Sequence, residues 1–209
     1  MIEIQLNSNK SMHKFSYYLP DPDVQTTASR RENKLQPTLN IGSDATITGD
    51  IQSTVILKSQ CHDKYYYYLN MTAISVNGKH LRIDPRIFVT TSSGTERFII
   101  KPGTAITLLA KEAFRSFKSS VSKEVMKRYL ELIPMKNSKS GFDLRYSTRG
   151  AICNVSEMSF PKVQFYFHSD DGDGRPPNIV LQKLFITVHT QDEDCACLSH
   201  RKWAWGQVY

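Results

Sequence analysis

The stretch Phe-Ile-Ile-Lys-Pro-Gly-Thr-Ala-Ile-Thr-Leu-Leu, residues 98–109, decides how the rest of the sequence is interpreted. It reads as an apolar strand, a tight turn through Pro102-Gly103 and a second apolar strand, and a helical pattern follows it. A buried turn between two strands brings side chains and backbone groups close together. An enzyme that uses acid/base chemistry would have a carboxylate at such a turn. In this sequence the first turn position is Lys101.

Length and composition indicate a folded chain. The sequence has 209 residues, enough for one sizeable core or two small ones. Its hydrophobic content of 40%, with 11% aromatics, allows enough apolar burial to offset the entropy of ordering the chain. No apolar run approaches the ~20 residues of a membrane span, and residues 1–6 lack the basic start and apolar core of a secretory signal. We therefore predict no membrane association and see no export signal in the sequence.

The charge balance raises the question of nucleic-acid binding. The net charge is +7 and the isoelectric point is near 9.2, but the Lys and Arg residues are spread along the sequence without a dense cluster. Four consecutive tyrosines at residues 65–68 could suggest a stacking platform for bases. Successive side chains of a strand face opposite ways, so core and edge packing is the better interpretation. We predict a solvated basic surface and no nucleic-acid partner.

Alternating apolar and polar residues predict short β-strands along most of the chain. The turn signal Asn77-Gly78 predicts a hairpin that pairs residues 66–76 with residues 81–88. Apolar residues at three- and four-residue steps predict a helix over residues 111–132, ended by Pro134. The fold class is therefore mainly β with one or two helices. Further strands are expected at residues 15–19, 39–43, 54–58 and 160–167, and twice within residues 176–190.

The central stretch resembles the second active-site loop of pepsin-like aspartic proteases. In plant members of that family the loop commonly reads Ile-Ile-Asp-Ser-Gly-Thr-Thr-Leu-Thr, and residues 99–107 follow the same pattern. Gly103 and Thr104 match the family residues. Lys101 falls where the family has its second catalytic Asp, and Pro102 where it has the Ser or Thr that links the two loops. The resemblance implies the scaffold of a catalytic loop without its catalyst.

Other segments support the resemblance in the family's order. Residues 65–79 are similar to the family's Tyr-Tyr-x-Val-x-Leu-x-x-Ile-Ser-Val-Gly-Gly-Lys, the longest specific match in the chain. Shorter matches lie at residues 15–19, 39–43, 142–146, 160–167 and 195–198. The chain is thus identified as a member of the plant pepsin-like aspartic protease family, constitutive-disease-resistance type, with a C-terminal lobe like that of xylanase inhibitors.

The resemblance implies an incomplete double-barrel fold. Residues 1–60 would be a remnant of the N-terminal lobe together with strands of the sheet shared between lobes. Residues 61–209 would form the C-terminal lobe without its closing strands. Family members are secreted, so the resemblance also implies an extracellular or apoplastic location, although no signal peptide is visible in this sequence.

Catalysis in the family needs two Asp side chains that share one proton, because like charges about 3 Å apart cannot both ionise. The sequence contains no Asp-Thr-Gly or Asp-Ser-Gly triplet, and an ammonium at Lys101 cannot accept a proton while it is charged. We therefore expect no proteolysis, no cofactor, and at most peptide contacts from Gly103 and Thr104. Two alternatives stay open. One is a non-catalytic binding protein resembling the xylanase inhibitors, with a glycoside hydrolase rather than a polypeptide substrate as partner, and the other is a truncated gene product without function.

The cysteines and Asn-x-Ser/Thr triplets complete the set of candidate sites. The spacing of the four cysteines matches no zinc pattern, and one or two disulfides in an oxidising compartment are the better interpretation. By the family resemblance the partner of Cys197 would stand at position 145, which is Arg here; whether Cys153 or Cys195 replaces it stays open. The acidic turn at residues 170–174 lacks the Glu and the flanking helices of a calcium loop, so no metal is predicted. The candidate disulfide and glycosylation residues are Cys61, Cys153, Cys195 and Cys197, and Asn9, Asn70 and Asn154.

Overall fold

The structure, a computed structural model, divides the chain into two compact units, Met1–Ile51 and Gln52–Tyr209. The structure describes residues 14–18, 36–49, 51–57, 67–88, 98–100, 107–135, 143–147, 158–169, 176–181, 185–189, 194–198 and 200–202.

The first unit contains a two-stranded antiparallel ribbon, β1 (Phe15–Tyr18) paired with β2 (Thr38–Ile41). Both strands were expected from the alternation of apolar and polar residues. Strand β2 ends at Ile41 because a 3-10 turn, Gly42–Asp44, follows directly. Gly42 has a φ of 70°, which a residue without a Cβ adopts at little cost, and its N–H donates to the Lys14 carbonyl at 2.9 Å.

The second unit is built from short strands around one helix, α1 (Lys111–Arg128). Its strands are β3 (Tyr67–Leu69), β4 (Met71–Val76), β5 (Lys79–His80), β6 (Phe98–Ile100), β7 (Thr107–Leu109), β8 (Ile133–Pro134), β9 (Arg145–Ser147), β10 (Val163–Phe167), β11 (Asn178–Val180), β12 (Phe185–His189), β13 (Asp194–Leu198) and β14 (His200–Lys202). They form two four-stranded antiparallel sheets, ordered β11-β10-β4-β5 and β12-β13-β9-β8, and two separate pairs, β3 with β6 and β7 with β14. The β7–β14 pair is parallel.

The core of this unit forms where one stripe of α1 meets the sheet strands. The helix buries an apolar stripe at three- and four-residue steps, which is the pattern that the sequence predicted. Strand β10 buries alternate residues, as expected of a strand with one face in the core, whereas β4 buries the three successive residues Ile74, Ser75 and Val76 and is covered on both faces. The fully or almost fully buried members are Phe114, Phe117, Val121 and Val125 from the helix, and Ile74, Val76, Val163, Phe165 and Phe167 from the strands.

The mainly β fold class with one α-helix is confirmed, but the predicted hairpin is shorter than expected. Asn77 (φ 50°) and Gly78 (φ 74°) both have positive φ, as a tight hairpin turn requires. The paired strand β5 ends at His80, and one further backbone hydrogen bond, from the Leu81 N–H to the Ile74 carbonyl at 2.8 Å, lies beyond it. The next residues enter a 3-10 turn, Pro85–Ile87, because Pro85 has no N–H to donate to a sheet and the Asp84 carboxylate caps the turn through the Arg86 N–H at 2.9 Å.

Two other boundaries also differ from the sequence prediction. Helix α1 ends at Arg128 rather than at residue 132, because Tyr129 leaves the helical conformation and its hydroxyl accepts the Ser159 N–H at 2.7 Å. Pro134 lies beyond this end and does not cause it. Residues 54–57 form no strand and make a single bridge between Leu57 and Tyr68, so the strand predicted at 54–58 is wrong over these residues.

Removing a core ring should reveal how much of the stability depends on the helix stripe. Phe117 is fully buried, so Phe117→Ala leaves a cavity as well as losing apolar burial, and the free energy of unfolding should fall by about 3–5 kcal/mol. Urea denaturation followed by circular dichroism measures this change. The control is Leu130→Ala, whose side chain is 88% exposed and which should change stability by less than about 0.5 kcal/mol. Equal losses in the two variants would contradict the assignment of α1 to the core.

Candidate functional site

The predicted site lies between β6 and β7. Lys101, Gly103 and Thr104 belong to residues 101–106, which lie outside the described part of the chain. The two strands that flank this segment are described, and they define where it leaves and re-enters the fold. The assignment of Lys101 to the catalytic Asp position, and of Gly103 and Thr104 to peptide contacts, therefore stays a prediction.

The strand before the segment is held by the neighbouring strand and by aromatic packing. Ile100, the last described residue of β6, pairs with Tyr67 of β3. At the other end of β6, the Phe98 ring lies 6.1 Å from the Phe165 ring in an edge-on arrangement and 5.5 Å from the Phe167 ring. Such ring pairs add to the stabilisation from buried area, so β6 is fixed to the core sheet through β10.

The strand after the segment connects it to the helix. In β7, Leu109 is buried and Leu108 is 42% exposed, so one face of the strand packs and the other meets solvent. The parallel partner β14 places Arg201 beside Leu108. Helix α1 begins at Lys111, two residues after β7 ends. In the sequence, the segment that contains Lys101 follows β6, which packs on β10, and precedes β7, which leads into α1.

A network that sequence reasoning missed joins the hairpin turn, the helix and the approach to β10. The Asn77 side chain donates to Glu124 at 2.9 Å and accepts the Lys162 N–H at 2.9 Å. Lys127 donates to the other Glu124 oxygen at 2.7 Å. The Asn-Gly pair revealed the turn from the sequence, but nothing in it could reveal that the Asn side chain contacts residues 47 and 85 positions away.

This network lies beside a surface depression of about 290 Å³. Arg128 completes one wall and donates to the Ser159 carbonyl and hydroxyl at 3.2 and 2.9 Å. The hydrogen bonds from Lys127 and Asn77 lower the pKa of Glu124. A carboxylate that its partners keep ionised is suited to holding surface elements together rather than to donating a proton.

Among the described residues, Asp84 is the other carboxyl group with a shifted pKa, and its partner is two residues away in the sequence. Arg86 donates to both Asp84 oxygens, with a shortest distance of 2.6 Å, and these contacts lower the pKa of Asp84 and raise that of Arg86. Within the ranges that the structure describes, no three His, Cys, Asp or Glu side chains converge as a metal site would need. None of the described helices has the length and hydrophobicity needed to span a bilayer.

Two of the four cysteines lie on a described strand, where the pairing with β9 shows which residues are opposite them. Cys61 and Cys153 lie outside the described residues, whereas Cys195 and Cys197 both occupy β13. Across the β13–β9 pair, Cys197 is directly opposite Arg145, and Cys195 is opposite Ser147. Position 145 is where the family resemblance put the partner of Cys197. Which cysteines form disulfides in this chain stays a prediction.

Arg145 is itself a buried cation. Its side chain is 5% exposed, and among the described residues its guanidinium contacts the Met135 sulfur at 3.9 Å. The glycosylation candidates Asn9 and Asn154 lie outside the described residues. Asn70 is half-buried between β3 and β4, and its carbonyl accepts the His168 N–H at 2.9 Å.

Comparison with known proteins identifies the family. The family described as "Xylanase inhibitor C-terminal" matches residues 66–201, which is more than half of the sequence, and the chain belongs to this family. It is 25% identical over 151 residues to the aspartic proteinase nepenthesin-2 of Nepenthes gracilis, covering 72% of this chain and 31% of that protein. These matches confirm the recognition of a plant pepsin-like aspartic protease C-terminal lobe.

A solved structure shares the fold. The structure titled "Crystal structure of edgp" superposes with a TM-score of 0.54 at 14% sequence identity, over 71% of this chain and 36% of that one. At this identity the likeness concerns the fold alone. The chain spans about a third of the length of both relatives.

The register of β9 and β13 predicts an engineered disulfide. Directly opposite residues of an antiparallel pair have Cβ atoms about 4.5–5.5 Å apart, close enough for a disulfide after a small approach. Arg145→Cys should therefore form a bond with Cys197 under oxidising conditions and stabilise the fold by about 2–4 kcal/mol. Peptide mapping by mass spectrometry without reduction identifies the bond. Leu144→Cys is the control, because it precedes Arg145 on the other face of the chain, and a 144–197 bond instead of a 145–197 bond would contradict the register.

Glu124 predicts a small pH dependence of stability. Its pKa is lower in the folded state than its ordinary value of 4.5. Its contribution is thus fully present above pH 4.5 and is lost as the pH falls through the lower folded-state pKa. Solvent exposure keeps the effect small. Glu124→Gln should lower the thermal midpoint at neutral pH and lose this effect at acid pH, whereas Glu131→Gln, an exposed residue beyond the end of the helix, should have little effect at either pH. A constant Glu124→Gln difference across the pH range would be inconsistent with this role.

Proposed function

We propose that this chain is a non-catalytic member of the aspartic protease-like family, with residues 61–209 as its C-terminal lobe. The single observation that carries the proposal is the identity of residue 101. It is the first of the six residues between β6 and β7, and it is Lys where the resemblance puts the second catalytic Asp. The flanking strands support the proposal, because both are held in the fold. Strand β6 pairs with β3 and packs on β10, and β7 is followed after one residue by α1.

The chemical reason concerns proton sharing. A pepsin-like dyad works because two adjacent carboxyl groups share one proton, which leaves one as acid and the other as base around a water molecule. A lysine ammonium cannot accept the proton of that water while it is charged, and it would hold any facing carboxylate ionised. Substitution of Asp by Lys therefore removes one half of the dyad and fixes the other half in a single protonation state.

Proteolysis assays test the proposal directly. The full chain should not cleave casein at acid pH in excess of a buffer blank, and pepstatin should change nothing, whereas pepsin in parallel should be active and pepstatin-sensitive. Lys101→Asp should also be inactive, because one restored carboxyl group does not make a dyad and the sequence holds no Asp-Thr-Gly or Asp-Ser-Gly triplet. Lys101→Ala is the matched control for loss of the cation. Pepstatin-sensitive cleavage by the unmodified chain would overturn the proposal.

A second candidate function is binding to a glycoside hydrolase. The family description "Xylanase inhibitor C-terminal" favours it, and it requires no catalytic dyad, so it accounts for Lys101 equally well. Gly103 and Thr104 would then contact a protein partner through backbone groups and a hydroxyl. An extracellular location would agree with this function, and the disulfide and glycosylation candidates would be relevant there.

Titration of an endo-xylanase with the full chain separates the two candidates. Inhibition that saturates at a stoichiometric ratio, with binding by calorimetry, would support the inhibitor role. Unchanged xylanase activity and no binding heat would contradict it and leave the non-catalytic family member without this partner. A Thr104→Ala variant with weaker inhibition and an unchanged melting temperature would place the contact at the predicted segment.

A further inference from the structure

One side of helix α1 carries basic side chains that form no ion pair with other described residues. The helix contains six Lys or Arg residues and two Glu residues, a net charge of +4, out of +7 for the whole chain. Lys127 pairs with Glu124 at 2.7 Å, and Arg128 contacts Ser159. Arg115, Lys118 and Lys123 take part in no ion pair among the described residues, and Glu112 does not pair with them.

These cations line a second surface depression, of about 410 Å³, which we call the basic face. It is formed by Arg115, Lys118, Ser119, Ser122, Lys123 and Met126. At 3.6 residues per turn, the paired carboxylate of Glu124 lies half a turn around the helix from Arg115. Arg115 therefore lies on the opposite side of the helix from that carboxylate, and no ion pair among the described residues neutralises the three cations of the basic face.

The floor of the basic face is anchored to the core. Tyr146 is fully buried, and its hydroxyl donates to the Ser122 hydroxyl at 3.2 Å. Ser122 in turn donates to the Met126 sulfur at 3.8 Å, one turn along the helix. Burial raises the pKa of Tyr146 above its ordinary value of 10.0, so the hydroxyl stays protonated as a donor. The depression is thus a preformed surface, which reduces the entropy cost of binding.

We propose that the basic face binds an acidic polypeptide segment in an extended conformation. Charge complementarity indicates the sign of the ligand. Arg115 and Lys123 are eight residues apart, about 12 Å along the helix axis, with Lys118 between them. An extended chain repeats its side chains on one side every ~6.8 Å, so three alternate carboxylates span about 13–14 Å, close to the axial distance between Arg115 and Lys123.

The composition of the helix favours a polypeptide over a lipid surface. Membrane-binding amphipathic helices insert a broad apolar face into the bilayer. In α1 that face is occupied, because Phe114, Phe117 and Val121 are at most 3% exposed within the core. Met126, 46% exposed, is the one apolar side chain of the basic face. It provides a contact for a single apolar residue of the bound segment rather than a surface for insertion.

Fluorescence anisotropy with a labelled peptide tests the proposal on the full chain. The probe is a synthetic nonapeptide with Glu at alternate positions and one Leu near its end, and the reference peptide has Gln in place of each Glu. The Glu peptide should bind at least tenfold more tightly at low salt, and added salt should weaken it because exposed charges are screened. Equal affinity for the two peptides would overturn the proposal.

Charge-reversed variants locate the binding surface. The triple variant Arg115→Glu, Lys118→Glu and Lys123→Glu should reduce affinity for the Glu peptide at least tenfold. The matched control reverses Lys79, Arg82 and Lys162, three exposed cations of the same unit, and should change affinity less than threefold. If charge reversal unfolds the helix, the corresponding Gln variants replace it. Equal losses in the two triple variants, or tighter binding to anionic vesicles or duplex DNA than to the Glu peptide, would overturn the assignment.

Discussion

The packing of one helix stripe against two sheet strands is the constraint on which the rest of the larger unit depends. Phe117, Val121 and Val125 of α1 are almost completely buried, and β4 and β10 supply the opposing residues from a single antiparallel pair. Interiors are packed at crystal-like density, so the helix has little freedom to shift without losing contacts. The positions of β7, which leads into the helix, and of β6, which packs on β10, follow from this contact.

The sequence predicted the elements that are specified by a local pattern of residues. The helix stripe and the alternation in β10 have periods that a sequence displays directly, and the Asn77-Gly78 turn has a specific backbone requirement. The sequence prediction was wrong at the ends of elements whose limits depend on contacts with other parts of the chain. The helix ends at Arg128 because the next side chain, Tyr129, contacts Ser159, 30 residues away, and β5 is short because Asp84 caps a turn. Such contacts have no local signal.

For the candidate site, sequence reasoning supplied the residue identities and the structure supplied the surroundings. The resemblance alone placed Lys101 at the catalytic position, since no periodicity could assign that role. Conversely, the Asn77–Glu124–Lys127 network and the floor of the basic face depend on side chains that meet only in the folded chain. Their residue types are common on surfaces, so composition gave no reason to select them.

Arg145 shows what maintains a strand register when a covalent bond is absent. The family resemblance puts a cysteine at this position, bonded to the residue equivalent to Cys197, and the structure still pairs these two positions. Register is specified wherever one face of a strand is buried, because a slip of one residue would move every apolar side chain to the other face. In β9 the successive residues Arg145 and Tyr146 are both buried, so a slip would put the guanidinium where the ring packs and the ring where the guanidinium lies. The pairing therefore does not need a disulfide between these two positions, which accounts for how a cation can occupy position 145 without loss of the family fold.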